Sequence, residues 1–306
     1  MRVVIALGGN ALQRRGEAAD LQQQRRNLQV AARAVAEVAR RHEVVVSHGN
    51  GPQVGWLAMQ TSLAGGAPAY PLDVLDAGSE GMIGYLLEQE LGNLLPGRVT
   101  ATLLTQVEVD PDDPAFRRPD KPIGPVLAED QARQLAARFG WHLAPEGGGW
   151  RRVVASPQPC RILELAAIRA LVAADILTIC VGGGGIPVVV DAHGAISGVE
   201  AVIDKDRAAA LLAQGLAADA LLLLTDVDAV YRAWGTPEAA PIRQVSPEEL
   251  ATLSFAPGSM APKVEAACRF VLGGGRLAGI GRLQDAAAIL AGRAGTCVSQ
   301  PPFSYS

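Results

Sequence analysis

The 306 residues carry a net charge of −4, and 49% are hydrophobic while only 4% are aromatic. Such a chain can bury a large aliphatic core, and it lacks the basic footprint of a nucleic-acid binder. Four cysteines, at 160, 180, 268 and 297, show no C-x-x-C spacing and no accompanying His cluster, which argues against a zinc site or a disulfide framework. No apolar run is long enough for a membrane span or a secretory leader, so a cytoplasmic protein is expected.

V-V-I-A-L at 3–7 reads as a strand. Leu21, Leu28, Ala31, Ala32, Val35 and Val38 then mark one face of a helix. E-V-V-V at 43–46 is a second strand, and a helical stretch starts at Pro52. Another helix is predicted across Met82 to Leu91, and 99–109 reads as one strand. The segment 110–125 holds five prolines and cannot be helix or central strand. A short helix from Glu129 to Phe139 follows, then the loop P-E-G-G-G-W-R-R. Residues 110–157 therefore read as a small lid-like excursion. Beyond it, I-L-T-I-C-V (176–181) and L-L-L-L-T (221–225) are strands apolar on both faces. A-A-A-L-L-A-Q-G-L-A (208–217) is helical. Ser246-Pro247-Glu248-Glu249 starts a helix that should run to about Leu253, and another spans Pro262 to Leu272 before three glycines. This alternation predicts an α/β sandwich on a mostly parallel sheet.

Four elbows share one design, an apolar strand followed by small residues. They are A-L-G-G-N-A-L (6–12), S-H-G-N-G-P-Q (47–53), V-G-G-G-G-I-P (181–187) and L-T-D-V-D-A-V-Y (224–231). In a parallel sheet such elbows share the carboxyl edge, where α/β proteins bind ligands. Glycine lets backbone N–H groups approach anionic oxygens. His48 reads as packing the strand end rather than as a base.

All but three of the 27 basic residues are arginine. The exceptions, Lys121, Lys205 and Lys263, sit in D-K-P, D-K-D and A-P-K, all in motif-like loops. Surface pairing is the ordinary explanation for any one of them. Together they suit a site that needs compact point charges on phosphate oxygens. The spelling of a Walker-type loop, G-x-x-x-x-G-K-[ST], is absent, and G-x-S-x-G is absent. G-G-G-R-L-A (273–278) matches a dinucleotide fingerprint only after a helix, the wrong context. A phosphotransferase and a non-catalytic ligand sensor both remain open on these residues alone.

Several motifs, in order along nearly the whole chain, resemble those of the carbamate kinases in the amino acid kinase family. They include A-L-G-G-N-A-L, V-S-H-G-N-G-P-Q-V-G, S-E-G-M-I-G-Y, K-P-I-G-P, A-V-I-D-K-D and P-G-S-M-A-P-K. The resemblance implies one three-layer αβα sandwich over 1–306, acting as a homodimer. It divides the chain into a carbamate and phosphoryl lobe (1–109), a protruding lid (110–157) and a nucleotide lobe (158–306). It implies ATP or ADP with Mg²⁺ carried by the nucleotide, and transfer between ATP and carbamate, run toward ATP in arginine or related catabolism. By motif match, Gly8, Gly9 and Asn10 would hold the phosphoryl group, and Gly49, Asn50 and Gly51 the carbamate. Lys121 would reach in from the lid, Lys205 and Lys263 would neutralise phosphate charge, and Asp206 would orient them. Gly182, Gly183, Gly184 and Gly185 would serve the nucleotide, with Thr225, Asp226, Val227, Tyr231, Ser259 and Met260. The chain departs from the pattern at Gln158, where family members commonly carry lysine in S-P-K-P.

Overall fold

A computed structural model describes residues 1–9, 20–63, 70–255 and 260–301. Eight strands form the main sheet. Their order is Gln244–Val245, Thr296–Val298, Leu277–Arg282, Ala220–Thr225, Arg2–Leu7, Glu43–His48, Leu177–Ile179 and Thr100–Thr102. All neighbours run parallel except Leu277–Arg282 against Thr296–Val298.

Period-two alternation along these strands divides the apolar residues between two cores. Val3, Ile5, Leu7, Val44, Val46, Leu222 and Leu224 face one side. There they meet the helices Leu21–Ala39 and Leu72–Leu94. Val4, Ala6, Val45, Leu221, Leu223 and Ile280 face the other, against Lys205–Gly215 and Met260–Leu272. The fold is thus an α/β sandwich of three layers on a mostly parallel sheet. Among the described residues no helix is long and apolar enough to cross a membrane.

Three expectations need correction. The stretch 99–109 is not one strand. Thr100–Thr102 closes the main sheet, and Gln106–Val109 joins a second, four-stranded sheet. The break falls at Thr105, whose backbone N–H donates to Glu80 and whose hydroxyl accepts from the Val181 N–H. The helix expected at Met82–Leu91 runs from Leu72 to Leu94. The loop P-E-G-G-G-W-R-R is instead a hairpin: His142–Glu146 and Gly149–Val154 pair across Gly147 and Gly148, both at positive φ.

Residues 121–154 build a sheet of their own, in the order Lys121–Leu127, Gly149–Val154, His142–Glu146. The proline-rich strand lies at its edge and carries a register shift between Ile123 and Leu127, where missing N–H donors cost no ladder bond. The helix Glu129–Phe139 covers this sheet through a small core of Leu127, Ala132 and Leu135. The excursion rests on the helix Gly51–Leu63 through a contact that admits no side chain. A Cβ on Gly55 would lie 1.9 Å from the Gly124 backbone nitrogen.

Candidate active site

Three elbows lie side by side because three central strands end together. Leu7 is level with His48 on one side and with Leu224 on the other. The Gly8 N–H donates to the Leu224 carbonyl at 2.9 Å, and the Gly49 N–H to the Leu7 carbonyl at 2.9 Å. A Cβ on Gly8 would lie 2.9 Å from the Leu224 carbonyl oxygen. One on Gly49 would lie 3.1 Å from the Gly9 nitrogen and 3.5 Å from Lys205 Cδ. The backbones of Thr225, Gly8, Gly9 and Gly49 therefore lie close together, with the Lys205 side chain against Gly49. Asn10 and Ser259 lie outside the described residues.

The lysines converge. Asp204 caps the helix Lys205–Gly215, accepting from the N–H groups of Asp206 and Arg207 at 2.9 and 3.3 Å. Its other oxygen accepts from Lys121 Nζ at 2.6 Å. Asp206 accepts from Lys205 on one oxygen and from Lys263 on the other, at 3.1 Å. Lys205, Asp206 and Lys263 are all buried. Positions 121, 205 and 263, far apart in the chain, thus meet on two carboxylates two residues apart.

The electrostatics follow from that packing. Burial works to raise the pKa of Asp204, but Lys121, then Lys205 and Lys263, outweigh it and hold the carboxyl well below its ordinary range. Burial is outweighed in the same way at Asp206, by Lys205 and Lys263. Lys205 is pushed down by burial and by Lys263, against the pull of Asp206. At Lys263 burial loses to Asp206, and the pKa rises.

A layer of polar side chains beneath the second elbow was not legible as a site in the sequence. Asn50 Nδ2 donates to Asp76 Oδ1 at 2.7 Å and to Ser79 Oγ at 2.8 Å. Glu80 accepts from the Gly182 N–H at 2.7 Å and from the Thr105 N–H at 3.2 Å. Burial drives the Asp76 carboxyl well above its usual range and pushes Glu80 up to about 8. Burial lowers His48 to about 4, and its Nδ1 meets the Gly49 carbonyl at 3.2 Å. A buried imidazole that stays neutral packs the strand end and makes a poor base, in line with the sequence reading.

The glycine run at 182–185 packs into this layer. Val181 at φ 54 and Gly183, Gly184 and Gly185 at positive φ fold it into a tight knot. A Cβ on Gly182 would meet His48 at 2.5 Å, and one on Gly183 would meet Asn50 at 2.3 Å. The N–H groups of Gly182, Gly184 and Gly185 are already paired within the protein, to Glu80, Val181 and Gly182. The run therefore backs the second elbow, with these three amides engaged inside the protein.

The remaining nucleotide candidates line the next strand end. Thr225 closes Ala220–Thr225, and its hydroxyl donates to Asp226 at 3.1 Å. Asp226 is exposed, and its charge reaches Lys263. Tyr231 donates to Asp228 at 2.9 Å and packs edge-on against the exposed Trp234, with ring centroids 5.0 Å apart. Val227 lies half-buried in the same turn, and Met260 opens the helix that carries Lys263. Gln158 lies at the base of the excursion, where its N–H donates to Asp113 at 2.9 Å. Among the described residues no group of three or more His, Cys, Asp or Glu side chains could hold a metal ion.

The sequence model of the amino acid kinase family matches residues 1–280. The chain is 53% identical to a carbamate kinase of Rhizobium meliloti over 302 residues, covering 98% of this chain and 93% of that one. It superposes on the carbamate kinase from Giardia lamblia bound to citric acid with a TM-score of 0.92 and 40% identity, over 97% of this chain and 98% of that one. The same Giardia enzyme bound to AMP-PNP gives a TM-score of 0.89 at 40% identity, with the same coverage. Identity at this level over nearly the full length of both chains leaves one assignment: the chain belongs to the amino acid kinase family and, within it, to the carbamate kinases.

Proposed function

We propose that this chain transfers a phosphoryl group reversibly between ATP and carbamate at the shared edge of the three elbows, giving ADP and carbamoyl phosphate. The observation that carries the reading is the convergence of Lys121, Lys205 and Lys263 on Asp204 and Asp206, with Lys205 beside the backbone of Gly49. Carbamate is already an anion with a nucleophilic oxygen, so its attack on phosphorus needs no general base. Phosphoryl transfer is then mainly positioning and neutralisation of the charge on three equatorial oxygens.

In this reading Gly49, Asn50 and Gly51 seat the carbamate, and Gly8, Gly9 and Asn10 hold the migrating group. Lys205 and Lys263 neutralise its oxygens while Asp206 aims them. Lys121 comes from the excursion and completes the charge, so that 110–157 acts as a lid between lobes 1–109 and 158–306. Thr225, Asp226, Val227, Tyr231, Ser259 and Met260 serve the nucleotide, which carries Mg²⁺ to the site. The same reading takes the protein as a homodimer that makes ATP in arginine or related catabolism. The test is ATP formation from ADP and carbamoyl phosphate. Lys205→Ala and Lys263→Ala should each lower kcat by about 100-fold or more, and folded variants that keep the wild-type rate would refute these roles.

A further inference from the structure

The Asn50 amide is oriented by protein groups alone. Its Nδ2 lies 2.7 Å from Asp76 Oδ1 and 2.8 Å from Ser79 Oγ. The Ser79 hydroxyl has a single proton, and it goes to the Asp76 backbone carbonyl at 3.0 Å. Toward Asn50, Ser79 can therefore only accept. That fixes the NH₂ group on the Ser79 side, independently of the charge on Asp76, because the network determines which way an amide points. Both Asn50 N–H bonds are committed. Gly183 walls the other flank of the amide: a Cβ there would lie 2.3 Å from Nδ2 and 2.7 Å from Oδ1. Asn50 Oδ1 receives no hydrogen bond from any described residue.

This acceptor is unlike the other groups of the site. The elbow N–H groups and the three ammoniums are donors, and they suit the oxygens of any carboxylate. The carboxylates of Asp204 and Asp206 are engaged by lysines. Carbamate and acetate share shape and charge and differ by an amino group in place of a methyl. The carbamate nitrogen lends its lone pair to the carbonyl, so its NH₂ is a donor only.

We propose that Asn50, held by Ser79 and Asp76, is the residue that selects carbamate, accepting a hydrogen bond from the substrate amino group on Oδ1. The inference rests on the seating of carbamate at Gly49–Gly51 given above and adds the direction of one hydrogen bond. An acetyl group leaves a buried acceptor unpaired, and sites built around such a bond reject the analogue that lacks it by large factors.

The experiment measures kcat/KM for ADP with carbamoyl phosphate and with acetyl phosphate, in the wild type, Asn50→Leu and Ser79→Ala. Asn50→Leu should cost carbamoyl phosphate about 100-fold or more and change acetyl phosphate far less, so the selectivity ratio collapses. Ser79→Ala frees the amide to turn and should compress the same ratio in part. A purely structural role for either side chain would lower both acyl phosphates by one common factor and leave the ratio unchanged. That outcome overturns the proposal while the seating stands. If Asn50→Leu leaves both rates at the wild-type level, the elbow is not the carbamate seat, and the underlying assignment falls with it.

Discussion

Asp206 lies between Lys205 and Lys263 and gives one carboxylate oxygen to each. All three side chains are buried, so the carboxylate is what allows two ammoniums to sit together away from water. Asp206→Asn keeps the shape and removes the charge. It leaves two like charges facing each other in a low-dielectric pocket. The expected result is a loss of about 3 kcal/mol of folding stability or more, read from urea denaturation. A fall in kcat of about 100-fold or more should accompany it as the lysines lose their aim. An unchanged denaturation midpoint together with an unchanged rate would show that Asp206 neither holds nor aims them.

Lys121 differs from the other two in kind. Its side chain keeps 24% of its surface exposed, and that of its partner Asp204 14%. Lys121→Ala takes from Asp204 the first of the charges that outweigh its burial, so it should cost about 1–3 kcal/mol of stability, while lowering kcat by about 100-fold. A large fall in rate in a variant that stays folded is the signature of a group that acts on the substrate. A variant that loses much stability and little rate would make Lys121 a structural clasp between the excursion and Asp204.

The parts of this molecule that follow a local rule were legible in the sequence. The strands at 3–7 and 221–225 are dense in β-branched and aliphatic residues, and Ser246-Pro247 carries its helix start on the surface of its spelling: Ser246 Oγ accepts from the Glu249 N–H at 3.1 Å. The three lysines stood out only against a background of arginine. What stayed hidden depends on partners distant in sequence. Asp76, Ser79 and Glu80 fall on the same helix face as Leu72, Leu75, Ile83 and Leu87, the face that packs inward. Polar residues at helical spacing within an apolar face are the one local trace of this layer. The glycines at 182–185 are packed by His48, Asn50, Ile203 and Val107, neighbours that no local pattern reveals.

Gly55 offers a test of the excursion that leaves the chemistry untouched. Its would-be Cβ meets backbone, at 1.9 Å from the Gly124 nitrogen and 2.1 Å from its Cα, and backbone cannot rotate aside. Gly55→Ala must push the strand Lys121–Leu127 off the helix Gly51–Leu63, and Lys121 moves with it. A displacement of about 1 Å at a reacting group can cost about 100-fold in rate. The expected outcome is a fall in kcat of that order, with faster amide exchange confined to 121–154. Wild-type kinetics in a folded Gly55→Ala protein would mean that the position of the excursion is irrelevant to turnover.

Glu80 and His48 both pack against Gly182, and burial moves their pKa values in opposite senses. Glu80 rises from 4.5 to about 8. Between those values the folded chain holds a proton that the unfolded chain has lost, so this contribution to stability falls as pH rises and levels off above 8. His48 drops from 6.5 to about 4. Between those values the unfolded chain holds the extra proton, so stability rises with pH until 6.5. The two contributions oppose each other in acid; from 6.5 to 8 that of His48 is complete, and Glu80 acts with the same sign as Asp76, whose carboxyl burial also holds well above its usual range. Across this window the unfolding free energy of the wild type, read from urea denaturation, should fall, with Glu80 giving a limiting slope of about 1.4 kcal/mol per pH unit. Glu80→Gln, which cannot titrate, should make the fall shallower by that contribution. A slope undiminished in the variant would place the titrating group elsewhere in the chain.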